Sequence, residues 1–528
     1  MTDFGVLVNG GLTVPIYTTL VGDQIKYIID DSDAKIVVVS TPALWEKIEP
    51  LRSGLEKVTN YVVIDGNAPA GAMTLDELIA RGRAVESEQP DLFEKLASSV
   101  TPEEEASLIY TSGTTGYPKG VILTHGNFLS NVKTASEIIE FTDRDTVLSF
   151  LPLSHVLERM VMFTYIYKGC TVAFAESVEA VAQNLLEIRP NIMVSVPRVF
   201  EKIYAKVMDL ILTSPPLKRR IFYWAVGIGK KAGQIRLAKR KVPLPLSLKL
   251  AVARKLVFAK IIAKTGGRIR FFVSGGAPLS RDIAEFFYAI GLVILEGYGL
   301  TETSPVLAVN TFKDMKFGTV GKPIPGIEIK IDEDGEILAR GPNIMKGYYK
   351  KQAETDEVFE GGWFHTGDIG HLDEEGFLVI TDRKKDLIIT SGGKNVAPQP
   401  IENMIKMNPY VANVVVIGDR RRFVSALVVP DFEKLAGYAR SAGISFSNND
   451  DLIRDQRIVD FLKSEIDRAT PHLASYERIK KIAVLSRDFE IEKGEITPTL
   501  KIRRSNIEEK YMDLIEGLYI EETSLAGS

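Results

Sequence analysis

The run Tyr110-Thr111-Ser112-Gly113-Thr114-Thr115-Gly116-Tyr117-Pro118-Lys119-Gly120 constrains this chain more than any other segment. Hydroxyls, glycines and one lysine fill a loop between two apolar stretches at 107–110 and 121–123. Such a loop suits a polyphosphate: glycines let backbone N–H groups approach the anion, hydroxyls add donors, and the lysine adds charge. A P-loop would place Ser or Thr after its lysine and then open a helix. Here Gly120 follows Lys119 and a β-branched run resumes, so the spacing predicts strand–loop–strand. That points away from P-loop NTPases and towards a protein that binds ATP to another end.

Around this loop, residues 1 to about 206 alternate strand-like runs with helical patterns. Ile36-Val37-Val38-Val39, Tyr61-Val62-Val63-Ile64, Thr171-Val172-Ala173-Phe174 and Ile192-Met193-Val194-Ser195-Val196 are the strand-like members. The rhythm is that of βαβ units and largely parallel sheets. Ile269-Arg270-Phe271-Phe272-Val273 reads as a buried strand, Ser274-Gly275-Gly276-Ala277 as a tight turn, 280–290 as a helix and 292–295 as the next strand. After residue 318 hairpins take over: 328–331 and 336–339 flank Asp332-Glu333-Asp334-Gly335, and 376–381 continues the pattern. A small β-barrel is the expected form. The charged run Asp382-Arg383-Lys384-Lys385-Asp386 ends it, and strands at 413–417 and 424–429 with a helix over 451–469 make a compact α+β unit. The expected fold class is α/β, with a large N-terminal domain of βαβ subdomains plus a small β-barrel, then a small α+β C-terminal domain. A length of 528 residues agrees with more than one core.

The net charge of −4 conceals an asymmetry, because residues 210–281 hold 17 Lys and Arg and neither Asp nor Glu. Charge interleaves with bulk in Lys218-Arg219-Arg220-Ile221-Phe222-Tyr223-Trp224, then come Lys239-Arg240-Lys241 and a helix expected over 247–264. Three readings stand side by side: a solvated face wrapping the core, a membrane-surface patch for anionic lipid, and a nucleic-acid patch, for which no fold motif is present. The single cysteine, Cys170, permits no intramolecular disulfide and fits a reducing compartment. It reads as a buried small hydrophobe rather than a nucleophile. His125, His155, His365, His371 and His472 show no metal-ligand spacing. No apolar run approaches the ~20 residues of a membrane span, and Met-Thr-Asp-Phe-Gly does not open a signal peptide. The expected place is the cytoplasm, with a peripheral position at the inner face of the membrane left open.

Thr-Ser-Gly-Thr-Thr-Gly-x-Pro-Lys-Gly resembles the signature of the adenylate-forming superfamily of acyl-CoA synthetases, luciferase and peptide-synthetase adenylation domains. Further motifs resemble it in the expected order over nearly the whole chain. The resemblance implies Mg²⁺ as cofactor, with ATP and CoA as co-substrates. It assigns Thr111, Ser112, Gly113, Thr114, Thr115, Gly116 and Lys119 to the nucleotide. Ser274-Gly275-Gly276-Ala277-Pro278 matches the segment lining the acyl and nucleotide pockets. In Glu296-Gly297-Tyr298-Gly299-Leu300-Thr301-Glu302-Thr303, expected as a loop after a βαβ strand, the backbone of Glu296, Gly297 and Tyr298 and the Tyr298 ring would face adenine. Gly299 belongs to the same nucleotide set, Thr301 would meet the phosphate, and Glu302 would help hold Mg²⁺ with Thr111 as the second protein oxygen. Asp368, in Gly362-Trp363-Phe364-His365-Thr366-Gly367-Asp368, would accept from the ribose hydroxyls, with Arg383 beside it and Lys385 near the hinge.

Leu151-Pro152-Leu153-Ser154-His155-Val156-Leu157-Glu158-Arg159 looks like the long-chain fatty acyl branch, with His155 flanking the acyl pocket. So does Thr497-Pro498-Thr499-Leu500-Lys501, whose Lys501 aligns with the family's catalytic lysine. Lys501, Glu302 and Lys119 form the expected catalytic set. By resemblance, residues 383–386 are a hinge between an N-terminal domain, 1–382, and a C-terminal domain, 387–528. Rotation about it would replace Lys501 at the site with the face around Ser391-Gly392-Gly393-Lys394, so Gly393 and Lys394 join Gly276 and His155 in the acyl and CoA set.

The implied activity is that of a long-chain fatty acid–CoA ligase (AMP-forming). The alternatives are a medium-chain or aryl acid ligase, an adenylation enzyme, or a shortened, non-catalytic nucleotide- or lipid-binding remnant. The last arises because Gly10-Gly11-Leu12-Thr13-Val14-Pro15-Ile16-Tyr17 resembles a motif that usually lies well inside the N-terminal domain. The chain is therefore expected to start late, through a misassigned start codon or a natural shortening. Fatty acid, ATP and CoA are the expected partners; anionic membrane at 218–264 and a second copy of the chain are compatible ones, and nucleic acid is not expected.

Overall fold

The computed structural model describes residues 2–111, 117–490, 492–497 and 502–520. Its largest sheet has seven strands, in the order Lys322–Pro323, Val306–Val309, Val293–Gly299, Phe271–Ser274, Ile192–Ser195, Thr146–Ser149, Thr171–Phe174. The last five are parallel and the first two antiparallel. Both faces are covered, as parallel strands require. Phe271 and Val273 pack beneath the Val156–Tyr167 helix on one side. Phe272 packs on the other against Phe200 and Phe287, where edge-to-face rings lie 5.4 and 5.8 Å apart along that stack.

The phosphate-loop strands are Glu105–Thr111 and Lys119–Thr124, antiparallel with Thr111 opposite Lys119, and Gly347–Tyr348 adds a third strand. Residues 112–116 lie outside the described residues. Glu328–Ile331 pairs with Glu336–Arg340 as expected. The expected small barrel, however, is not a closed ring of paired strands among the described residues. The strands run Glu328–Ile331, Glu336–Arg340, Trp363–Leu372, Phe359–Glu360, with Leu378–Arg383 also on Trp363–Leu372. That long strand is bulged at 369–370 and divides its length among three neighbours, and a bulge bends a sheet without closing it.

Other local expectations change for identifiable reasons. Residues 296–299 are strand, not loop: Glu296 still pairs with Ser274, and from Gly297 onward the strand acquires Val306–Val309 as an antiparallel partner. Gly299 has to be glycine there, since a Cβ would sit 1.6 Å from the Pro305 carbonyl oxygen. The helix over 451–469 is two helices, Asn449–Arg454 and Gln456–Ala469, because Asp455 turns out of helical geometry and its carboxylate accepts the Arg457 N–H as a cap. The helix expected over 247–264 begins at Leu244 and passes through a π-turn at Arg254–Phe258. Cys170 is half-buried, its thiol directed at the Thr142 carbonyl.

Beyond Ile388 the chain closes cores of its own around the Val411–Ile417, Ser425–Pro430 and Ile482–Val484 strands. Polar contacts tie this unit to the rest. Arg198 Nη1 donates to the Ala412 carbonyl at 3.2 Å, Lys434 pairs with Asp209 at 3.2 Å, and Asp382 Oδ2 accepts the Gln399 N–H at 3.0 Å. Burial pushes the Asp382 carboxyl up to about 6, against the pull of those N–H donors.

Candidate nucleotide and acyl site

Parallel strands expose their carboxyl ends to a crevice, and ligands of such sheets collect there. The ends of Ile192–Ser195, Phe271–Ser274 and Val293–Gly299 open into a cavity of about 1810 Å³, walled on its far side by Asp488, Arg503 and Arg504 of the C-terminal unit. That volume exceeds the ~300–1,000 Å³ of an ordinary small-molecule pocket, leaving room for more than one ligand.

One end is polar. Asp368 is buried, and both its oxygens are engaged: Tyr298 O–H donates to Oδ2 at 2.7 Å and Arg383 Nε lies 3.0 Å from Oδ1. Antiparallel pairing of Trp363–Leu372 with Leu378–Arg383 sets Asp368 directly opposite Arg383. The turn before Asp368 is fixed by Glu336, which accepts the Gly367 N–H and the Lys384 ammonium, both at 2.8 Å. Burial alone would push the Glu336 carboxyl up, yet these donors hold it below the ordinary carboxylate range. Glu296, on the cavity wall with no ion partner among the described residues, is pushed by burial up to about 8, which favours its neutral form. A neutral carboxyl offers one donor and one acceptor. Burial, then the Arg383 charge, draws the Lys385 ammonium down.

The corner nearest the phosphate loop holds Thr111, Lys119, Tyr348 and Glu302. Tyr348 O–H donates to Glu302 Oε1 at 3.0 Å, and the Lys119 ammonium lies 4.9 Å from the Tyr348 ring centroid. Among the described residues no cluster of three or more His, Cys, Asp or Glu could hold a metal ion. One carboxylate with one hydroxyl is nevertheless a donor set that fits Mg²⁺, which keeps waters and takes substrate phosphate oxygens as its remaining ligands.

The other end is apolar. Leu157, Met160, Val161 and Thr164 line it from two turns of the Val156–Tyr167 helix, about 10 Å of wall. Ala135 and Ile138 face them from the His125–Ile138 helix. Phe141 closes the wall, backed by the Tyr165 and Phe271 rings at 5.8 and 6.0 Å, neither of which reaches the cavity. His155 also lines the cavity and caps its helix, Nδ1 accepting the Leu157 N–H at 3.2 Å.

Gly275, Gly276, Ala277, Gly297, Gly299 and Thr301 also line this cavity. Gly393 and Lys394 do not: they turn between Ile388–Ile389 and Asn395–Val396, with the Lys394 ammonium 5.9 Å from the Tyr476 ring centroid. Lys501 and Ser112, Gly113, Thr114, Thr115 and Gly116 lie outside the described residues, although Thr497 and Ile502, on either side of Lys501, line the cavity. Sequence reasoning did not single out Tyr348 or Glu336. Nor did it find the Gly22–Asp31 helix, which grips both strands of the phosphate loop. Tyr27 stacks on Tyr117 at 4.6 Å and donates to the Pro118 carbonyl at 3.2 Å. Asp31 accepts Tyr110 O–H at 2.6 Å.

The fold is two-part α/β, and its cavity joins polar to apolar lining. The family description "AMP-binding enzyme" matches residues 1–349, and "AMP-binding enzyme C-terminal domain" matches residues 385–523. The long-chain-fatty-acid–CoA ligase FadD15 of Mycobacterium tuberculosis is 37% identical over 527 residues, 98% of this chain and 86% of that protein. The peroxisomal long chain acyl-CoA synthetase 7 of Arabidopsis thaliana is 33% identical over 540 residues, 97% of this chain and 74% of that protein. Among solved structures, the anthranilate CoA ligase AuaEII in complex with anthranoyl-AMP shares the fold with a TM-score of 0.70 at 19% identity, covering 98% of this chain and 85% of that one. The chain belongs to the AMP-binding, adenylate-forming enzyme family.

Proposed function

We propose that the protein is a long-chain fatty acid–CoA ligase, converting ATP, fatty acid and CoA into acyl-CoA, AMP and diphosphate through an acyl-adenylate. The observation that carries this reading is one cavity lined both by polar residues, among them Asp368 and Glu302, and by an apolar wall that includes Phe141. A fatty chain fits the apolar end with its carboxylate at His155, facing the nucleotide end. The carboxylate attacks the α-phosphorus of ATP, diphosphate leaves, and the CoA thiol then attacks the acyl carbonyl and releases AMP.

Residues of the chain act mainly by alignment and charge neutralisation. Asp368 and Arg383 hold the ribose, Glu296, Gly297 and Tyr298 border the adenine, and Lys119 with residues 112–116 meets the phosphates. Lys501 neutralises charge at the reacting phosphate. Thr111 and Glu302 hold Mg²⁺, which when bound supplies charge neutralisation on the phosphate oxygens. Residues 383–386 are the hinge between 1–382 and 387–528. Turning about it brings the segment around Gly393 and Lys394 to the site for the thioester step. Peripheral contact with anionic membrane through residues 218–264 belongs to the same reading, and no helix among the described residues is long and apolar enough to cross a bilayer.

Exchange of labelled diphosphate into ATP, dependent on a fatty acid and independent of CoA, tests the adenylate step. Exchange in the absence of any acid, or only in the presence of CoA, would contradict it.

A further inference from the structure

Two opposite charges line one corner of the cavity and do not pair. Lys119 and Glu302 both reach it, and neither has an ion-pair partner among the described residues. In a partly buried cleft a cation and a carboxylate attract each other more strongly than in water. An ion pair between them would occupy the groups that a phosphate and a metal ion need. Tyr348 engages both instead: its hydroxyl donates to Glu302 Oε1 at 3.0 Å, and its ring centroid lies 4.9 Å from the Lys119 ammonium.

The backbone fixes where that ring can be. Gly347–Tyr348 pairs antiparallel with Lys119–Thr124, Tyr348 opposite Val121. The Tyr348 N–H donates to the Thr355 hydroxyl at 2.9 Å, and the Tyr349 N–H to the Gly120 carbonyl at 2.8 Å. Side chains alternate along a strand, so Tyr348 lines the cavity while Tyr349 takes the other face, its hydroxyl donating to Asp33 Oδ2 at 3.1 Å. Two residues before that strand, the Met345 N–H donates to the Glu302 carbonyl at 2.8 Å. One short stretch of backbone therefore sets the ring against both the lysine's strand and the acid.

We infer that Tyr348 is a positioning residue that keeps Lys119 and Glu302 from pairing with each other. Within the ligase reading, on which this rests, the lysine thereby stays available to phosphate and the acid to Mg²⁺. The hydroxyl occupies Oε1 and leaves Oε2 without a hydrogen-bond partner among the described residues. The ring attracts the ammonium without neutralising it, and a phosphate, which carries full charge, replaces that contact readily. Substitution separates the two halves of the side chain. Tyr348→Phe keeps the ring and drops the donor, whereas Tyr348→Leu drops both.

Equilibrium binding of ATP to the full chain, read by isothermal titration calorimetry in EDTA and in excess Mg²⁺, tests this without turnover. The wild-type chain should bind ATP in EDTA and more tightly with Mg²⁺. Tyr348→Phe should bind within about twofold of wild type in EDTA, yet lose about tenfold of the tightening that Mg²⁺ brings. Tyr348→Leu should lose about tenfold in EDTA as well, because Lys119 then pairs with Glu302. In the Glu302→Gln background the lysine has no such acid to meet, and there Tyr348→Leu should cost no more than about twofold in EDTA. A ring that merely packs would give the same loss from Tyr348→Leu in either background, and that result would overturn the inference. So would a Tyr348→Phe protein that responds to Mg²⁺ as wild type does, an arm that decides the matter alone if the leucine variant does not fold. Wild-type binding of ATP that Mg²⁺ does not strengthen would overturn it too. A wild-type chain that binds no ATP in either solution would overturn the ligase reading together with the inference, whereas the other failures leave that reading standing.

Discussion

Glu158 offers the cleanest test of whether the burial described here has energetic consequences. It sits on the Val156–Tyr167 helix with Leu157 and Met160, yet turns from the cavity to meet Ser149, whose hydroxyl donates to its carboxyl. Burial raises it from 4.5 to about 7, and the Ser149 bond only partly opposes this. The folded protein therefore holds a proton that the unfolded chain gives up. The associated stability is fully present below pH 4.5 and is lost as pH rises through about 7. At 1.36 kcal/mol per pH unit the full loss is about 3 kcal/mol, of which about 2 kcal/mol falls between pH 5.5 and 8.5. Glu158→Gln keeps an acceptor for Ser149 but cannot ionise. Urea unfolding of both proteins at pH 5.5, 7 and 8.5 should show the variant gaining about 2 kcal/mol on the wild type across that interval. Glu296, raised in the same sense, cancels from the difference. A difference that is flat with pH, or one that favours the wild type as pH rises, would refute the reasoning.

Other perturbations probe the cavity itself. Asp368→Asn keeps an acceptor for Tyr298 but loses the charge facing Arg383; KM for ATP should rise about tenfold, as for one lost charge-assisted bond, with steady-state kinetics as the check. Tyr27→Ala removes both the stack on Tyr117 and the bond to Pro118, and should raise KM for ATP about tenfold with kcat nearly unchanged, whereas Tyr27→Phe keeps most of the stack and most of the affinity. Thr164→Phe fills the apolar wall facing Ala135 and Ile138, so the preferred acid should shorten in a chain-length scan. Lys501→Ala should abolish adenylate formation yet spare thioester formation from supplied acyl-adenylate, and equal loss of both halves would sink its assignment.

The parts of the fold that were legible in the sequence are those written locally. Runs such as Ile36-Val37-Val38-Val39 became strands because β-branched residues pair in a parallel sheet and alternate members, Val37 and Val39, are buried, and the strand–loop–strand reading needed only Gly120 after Lys119. Asp368 and Arg383 were legible through motifs, and their facing positions follow from the hairpin register. Tertiary pairing was not legible. Nothing local says that Glu296 remains in a strand until an antiparallel partner arrives ten residues later, or that Trp363–Leu372 carries a bulge instead of closing a barrel. Asp455 is an ordinary helix residue until its carboxylate finds the Arg457 N–H. The anchors were hidden for the same reason: Tyr110 and Asp31 meet across 79 residues and Tyr348 and Glu302 across 46, distances over which no spacing rule operates. Alternation carries no signal for a buried carboxylate such as Glu336, because only its partners Lys384 and Gly367 distinguish it from a surface acid.

In the proposed function one cavity activates a long acyl chain with ATP and passes it to CoA. Its most direct test is AMP release from ATP by the purified chain, with CoA present and the acid varied from acetate to oleate, acyl-CoA being measured in parallel. AMP and acyl-CoA should form in equal amounts, dependent on both acid and CoA and best with the long acids. No turnover with any acid in a folded chain, or turnover best with acetate, would contradict it.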